Sequence, residues 1–117
     1  MATWMINIEP GATPKDPAKF VPQLQPPGPN GEANVSKGDL VNWFNATGTN
    51  HQPEATDSTF QNPVNAPPGS GFYLSNVIAP NTSSRPDWKA VAPSQTQKTV
   101  YYRCNLHPQE HGMIVVT

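Results

Sequence analysis

Fifteen prolines are scattered along almost the whole of this 117-residue chain. Each fixes φ near about −65° and removes a backbone donor, which excludes long helices and leaves short strands joined by irregular loops. The hydrophobic pattern agrees, since no window carries an apolar stripe at helical spacing for more than about two turns. The length suits one modest core. The expected fold is all-β: a Greek-key β-sandwich of six to eight strands, in a single domain over residues 1–117.

Seven Lys and Arg stand against eight Asp and Glu, for a net charge of −1. No basic stripe is present for nucleic acid or an anionic membrane. The longest apolar runs are far too short to span a bilayer. Met1 and Ala2 lead directly into a strand-like segment, as in a mature domain whose leader has been replaced by an initiator Met.

Period-two alternation predicts strands over 3–8, 40–45 and 99–104, with shorter ones at 34–36 and 88–91 and a closing strand over 113–117. The run 71–78 also reads as a strand. Residues 10–30, with Pro26-Pro27-Gly28-Pro29, read as loop without an assigned role. Residues 46–70 read as a long connection carrying His51. Trp43, Phe72, Trp88 and Tyr102 are expected in the core.

The chemistry is concentrated in Cys104-Asn105-Leu106-His107-Pro108-Gln109-Glu110-His111-Gly112-Met113. A single cysteine excludes an internal disulfide, and a lone thiol is either buried and inert or present for its chemistry. Here a His follows three residues later, and Pro108 and Gly112 allow the chain to turn. His51, the only upstream His, can be brought alongside by a Greek key. Two imidazoles and one thiolate suit copper in both oxidation states. Zinc could occupy the same donors. Gln52, beside His51, is a candidate for a supporting hydrogen bond.

The same residues resemble the cupredoxins, the blue-copper electron carriers such as plastocyanin, pseudoazurin and amicyanin. Tyr101-Tyr102-Arg103-Cys104-Asn105-Leu106-His107-Pro108 is similar to their aromatic-Cys-x-x-His strand end. Gly38-Asp39-Leu40-Val41-Asn42-Trp43-Phe44-Asn45 with His51 resembles their Gly-Asp-x-Val-x-Trp-x-Asn strand and first histidine. Gly112-Met113-Ile114-Val115-Val116 resembles their closing strand. The match runs from about residue 35 to the end, and the proline-rich stretch before it fits poorly.

The departure lies at the axial position. In shorter-loop members the segment reads Cys-x-x-His-Pro-x-Met-x-Gly-x-Val-x-Val. Laid on this chain, the axial Met falls on Glu110, with Gly112, Ile114 and Val116 in register. The resemblance therefore implies one copper ion, cycling between Cu(I) and Cu(II), on His51, Cys104, His107 and an axial Glu110, with Met113 and then His111 as the alternatives. A carboxylate favours Cu(II) where a thioether favours Cu(I). That predicts a lowered potential and red or green colour, as in the red-copper relative nitrosocyanin.

The expected function is one-electron transfer by a monomer, not an enzyme, docking transiently with redox partner proteins near His107. The resemblance places such a protein in the periplasm or another extracytoplasmic space. Two other readings stand beside it: a mononuclear red-copper protein reactive toward small molecules, and a non-redox β-sandwich binding module. With no His-x-His pair and no second Cys, multicopper-oxidase and dinuclear copper-A sites are excluded.

Overall fold

The computed structural model describes residues 2–13, 16–23, 25, 31–67, 69 and 71–117. The prolines at 26, 27 and 29, central to the loop expected over 10–30, lie outside these residues. The described chain is all-β, with eight strands and no helix. These are β1 (Thr3–Glu9), β2 (Lys19–Pro22), β3 (Ala33–Val35), β4 (Leu40–Asn45), β5 (Pro53–Thr56), β6 (Trp88–Lys89), β7 (Thr99–Cys104) and β8 (His107–Val116).

They form two four-stranded sheets, ordered β2-β1-β4-β6 and β3-β8-β7-β5. Both are mixed, because β1 runs parallel to β4 and β3 parallel to β8. The sheets pack as a sandwich on side chains that alternate inward. Ile6 and Ile8 come from β1, Val41 and Trp43 from β4, Val100, Tyr102 and Cys104 from β7, and Ile114 and Val116 from β8, all buried. The Tyr102 ring sits edge-on to Trp43 at 5.6 Å and to Phe20 at 4.8 Å, an arrangement that aromatic quadrupoles favour. That ring also lies across its strand partner Gly112, where any Cβ would collide with it.

Four segments differ from the sequence expectation. Residues 19–22, inside the expected loop, form β2, and residues 53–56, inside the expected connection, form β5. Both are edge strands, with Pro22 ending one and Pro53 opening the other. Those are places where a missing N–H is tolerated. Residues 71–78 are not a regular strand. They run irregularly along β5, joined by single bridges at Glu54–Tyr73 and His51–Ile78, and so cover that exposed edge. Phe72 consequently faces solvent at 44% exposure instead of entering the core. The closing strand begins at His107, six residues earlier than expected.

Candidate metal centre

β7 ends at Cys104 and β8 begins at His107, so Asn105 and Leu106 alone make the turn. The register slips between Arg103 and Cys104, leaving Cys104 opposite His107. Such an irregularity re-aims side chains, and here Cys104 Sγ and His107 Nδ1 stand 3.5 Å apart. Glu110 follows on β8 with the inward parity of Gly112, Ile114 and Val116, all buried. Its Oε1 lies 3.5 Å from His107 Nδ1.

His51 arrives from the other side. It precedes β5 and is clamped by two backbone hydrogen bonds with Ile78, at 3.1 and 2.7 Å. Its Nδ1 lies 3.4 Å from Cys104 Sγ and 2.9 Å from Glu110 Oε1. The turn is tied to the same place, because the Asn105 N–H donates to the Gln52 carbonyl at 2.8 Å. All four donor atoms lie within 4.8 Å of one another.

This set fits a metal ion. Bonds of about 2.0–2.3 Å in a tetrahedral site separate neighbouring donors by about 3.3–3.8 Å. Three of the separations, 3.4, 3.5 and 3.5 Å, fall in that range. The chemistry of burial agrees. Glu110 Oε1 is buried and makes no regular hydrogen bond, its one close polar contact being the charge contact with His51 Nδ1 at 2.9 Å. A buried carboxylate oxygen left this way is costly unless a charge compensates it.

Without metal, that charge is on His51. Burial pushes its pKa down, but polar contacts with Cys104 and Glu110, and the negative charge of both, outweigh it and raise it to about 9. Burial likewise pushes Glu110 up, yet His51, the Ala18 amide and the charges of His51 and His107 hold it below its ordinary value. The 2.9 Å contact is therefore an ion pair in the metal-free protein. A metal ion would take over the compensation and displace the proton.

The supporting groups differ from the expected one. The Gln52 side chain donates to the Ser75 carbonyl at 3.2 Å, and not to His51. Two threonines take that role, with Oγ1 of Thr47 and Thr49 at 2.8 and 3.2 Å from His51 Nε2. An Nε2–H donated there leaves Nδ1 to face the donor cluster. Thr47 in turn donates to Asn45 Oδ1 at 2.7 Å. The buried Asn45 amide donates to the carbonyls of Thr49 and Ile78 at 2.7 and 2.9 Å. The signal available in the sequence was the spacing Asn45-x-Thr47-x-Thr49-x-His51, in which every second residue is polar.

Neither alternative shares the inward parity of Glu110 on β8. Met113 has the opposite parity on β8 and pairs with Tyr101. His111 also faces away from the sandwich. It is half-buried rather than freely solvated, stacked on Phe60 at 4.3 Å with 4° between the planes, and its Nε2–H donates to the Pro108 carbonyl at 3.0 Å.

No protein-family model and no curated protein sequence matches the chain. Solved structures do. A purple cupredoxin from Nitrosopumilus maritimus aligns over 100% of both chains with TM-score 0.62 and 17% identity. A Cu(I) amicyanin mutant aligns over 99% of this chain and 83% of its own, with TM-score 0.60 and 20% identity. A second, reduced amicyanin mutant aligns over 97% and 80%, with TM-score 0.59 and 19% identity. Likeness at this identity is one of fold. The chain resembles the cupredoxins and carries, in a cupredoxin-like sandwich, a His–Cys–His–Glu cluster suited to a metal.

Proposed function

We propose, from a cupredoxin-like fold that gathers these four donors, that residues 1–117 act as one domain holding a single copper ion on His51, Cys104, His107 and Glu110 and passing electrons one at a time. The observation that carries the reading is the convergence of two Nδ1 atoms, one Sγ and the unpartnered Oε1 of Glu110 within 4.8 Å. Copper in such a set supplies a one-electron couple, with thiolate and imidazole acceptable to both oxidation states. The chain's part is to hold those donors still. Cys104 and His107 sit at the ends of paired strands, and His51 is locked by Ile78 and Thr47. Little has to move when the charge changes. The carboxylate of Glu110 favours the cupric state and draws the potential down, with red or green colour instead of pure blue.

His107 is 32% exposed whereas His51 and Cys104 are buried, so its ring is the natural exit edge. Leu106 beside it and Val77, next to the backbone partner of His51, are each 47% exposed. Apolar groups around a redox edge suit the small, transient contacts of electron-transfer partners. We place the working protein, as a monomer, in the periplasm or another extracytoplasmic space. Copper titration of the apoprotein, followed by absorption and EPR and repeated on Glu110→Met, tests the reading. A sulfur-to-copper charge-transfer band that moves toward blue in the variant, with a higher potential, supports it. No band at all overturns it and leaves a non-redox sandwich module.

A cavity of about 390 Å³ borders His51, His107 and Glu110 and supports a second reading, in which small molecules react at the ion. Cupric EPR that responds to azide or nitric oxide would favour it, and indifference would favour simple transfer.

A further inference from the structure

Residues 10–18 join β1 to β2. Glu9 and Lys19 are cross-strand partners, so the segment is a closed hairpin loop. It lies over the donor end, where Pro10, Gly11 and Ala18 border the same cavity as His51, His107 and Glu110. At its last residue the Ala18 N–H donates to Glu110 Oε2 at 2.8 Å. The two carboxylate oxygens are thus divided: Oε2 is taken by a backbone amide, and Oε1 faces the imidazoles without a hydrogen bond.

A Glu carboxylate turns easily about its terminal torsion, which has broad, roughly two-fold preferences. Left alone beside an open cavity, this one could present either oxygen, both, or neither. The amide removes that choice, and behind it Gly11 packs closely against the chain at Asp16 and Pro17. A Cβ on Gly11 would lie 2.6 Å from Asp16 Cβ and 2.7 Å from the Pro17 carbonyl oxygen, so the chain is closed tightly on itself at the step before Ala18. The Asp16 side chain accepts from the Thr13 amide at 3.1 Å and fastens the same turn.

We propose that the Ala18 backbone amide is a positioning group for the metal centre: it holds Oε2 of Glu110 so that Oε1 alone is offered to the ion. The proline-rich loop then sets the coordination of a site to which its described residues contribute no ligand. This rests on Glu110 being a ligand, and the experiment keeps the two apart.

The sharpest probe is an amide-to-ester replacement at residue 18, which deletes the N–H and keeps the side chain and chain path. Ala18→Pro is a genetic second variant, and the thermal unfolding of each apoprotein shows whether it is folded. Zn(II) affinity by chelator competition and cupric EPR are read in the native and Glu110→Gln backgrounds. The expected result is a 10- to 100-fold loss of Zn(II) affinity with altered EPR hyperfine splitting, both absent in the Glu110→Gln background. An effect of equal size in both backgrounds would make the amide merely structural and overturn the proposal. So would an ester variant within twofold of the native affinity with unchanged EPR, when Glu110→Gln itself changes both. If Glu110→Gln changes neither, the ligand reading has failed, and the positioning role falls with it.

Discussion

The hairpin of β7 and β8 and the hairpin of β1 and β2 both close over the donor end, yet they are built from different materials. The first carries Cys104, His107 and Glu110 within a few residues around a two-residue turn. Among the described residues, the second brings no metal-binding side chain to the cluster, only a loop wall and one N–H aimed at Glu110. Side chains chosen for what they can bind make one half. Backbone held where it is needed makes the other. If this division is correct, substitutions in the first hairpin change the chemistry of the site, and most substitutions in the second change only stability.

The largest effect expected is that of Cys104→Ser. The thiolate is the one soft anionic donor, and no other cysteine exists in the chain to replace it. The visible sulfur-to-copper band should disappear, leaving only weak cupric ligand-field absorption, while the far-UV circular dichroism is kept. A band of native intensity in this variant would remove the thiolate from the site and erase the contrast between the hairpins.

Next in size is a change outside both hairpins. Thr47→Val deletes the hydroxyl that accepts from His51 Nε2 and donates to Asn45. Such supporting bonds are worth about 10- to 100-fold in metal affinity. Thr49 Oγ1, at 3.2 Å, can replace part of the bond, so the lower end of that range is expected in Zn(II) competition titrations. A change of less than twofold would mean that Ile78 alone orients His51.

How far the site could be read in advance follows the same line. The gathering of Cys104, His107 and His51 was legible because few residue types can bind a metal and the chain has few of them. Glu110 was legible through its register with Gly112, Ile114 and Val116, whose inward parity the strand keeps. The strands β4 and β7 were legible at full length because burial alternates strictly along β7 and, apart from the buried Asn42, along β4. β2 and β5 were hidden by Pro22 and Pro53, which discourage a strand reading although edge positions accept them. The Ala18 amide left no trace at all. Every non-proline residue has an N–H, so a role for one depends on the path of the chain, across 92 positions in this instance.

A smaller effect is expected from pH. In the metal-free protein His51 is raised to about 9 by its contacts with Cys104 and Glu110, against about 6.5 in an unfolded chain. A raised histidine stabilises the fold fully below about pH 6.5, and that contribution is lost as the pH climbs through about 9. The apoprotein Tm should therefore fall by roughly 10 °C over that interval. The drop should flatten in His51→Asn. A Tm that is constant or rising from pH 6.5 to 9 would mean that the imidazole is neutral beside Glu110.

The smallest effect belongs to the second hairpin. Ile6, on β1, is fully buried among the core side chains and touches the donor set only through the packing between them. Ile6→Val removes one methylene, and such a deletion costs about 0.5–1.5 kcal/mol through lost burial and a small void. That corresponds to a Tm lowered by roughly 2–8 °C in a domain of this size. The charge-transfer band and the reduction potential should both stay where they are, since neither the Ala18 amide nor any donor is displaced by a change that the neighbouring side chains can absorb. Denaturant unfolding and voltammetry on the same preparation separate the two quantities. A shifted potential here, without any change of ligand, would show that the core of the N-terminal hairpin reaches the copper site by strain, and that the division between chemistry in one hairpin and stability in the other is drawn in the wrong place.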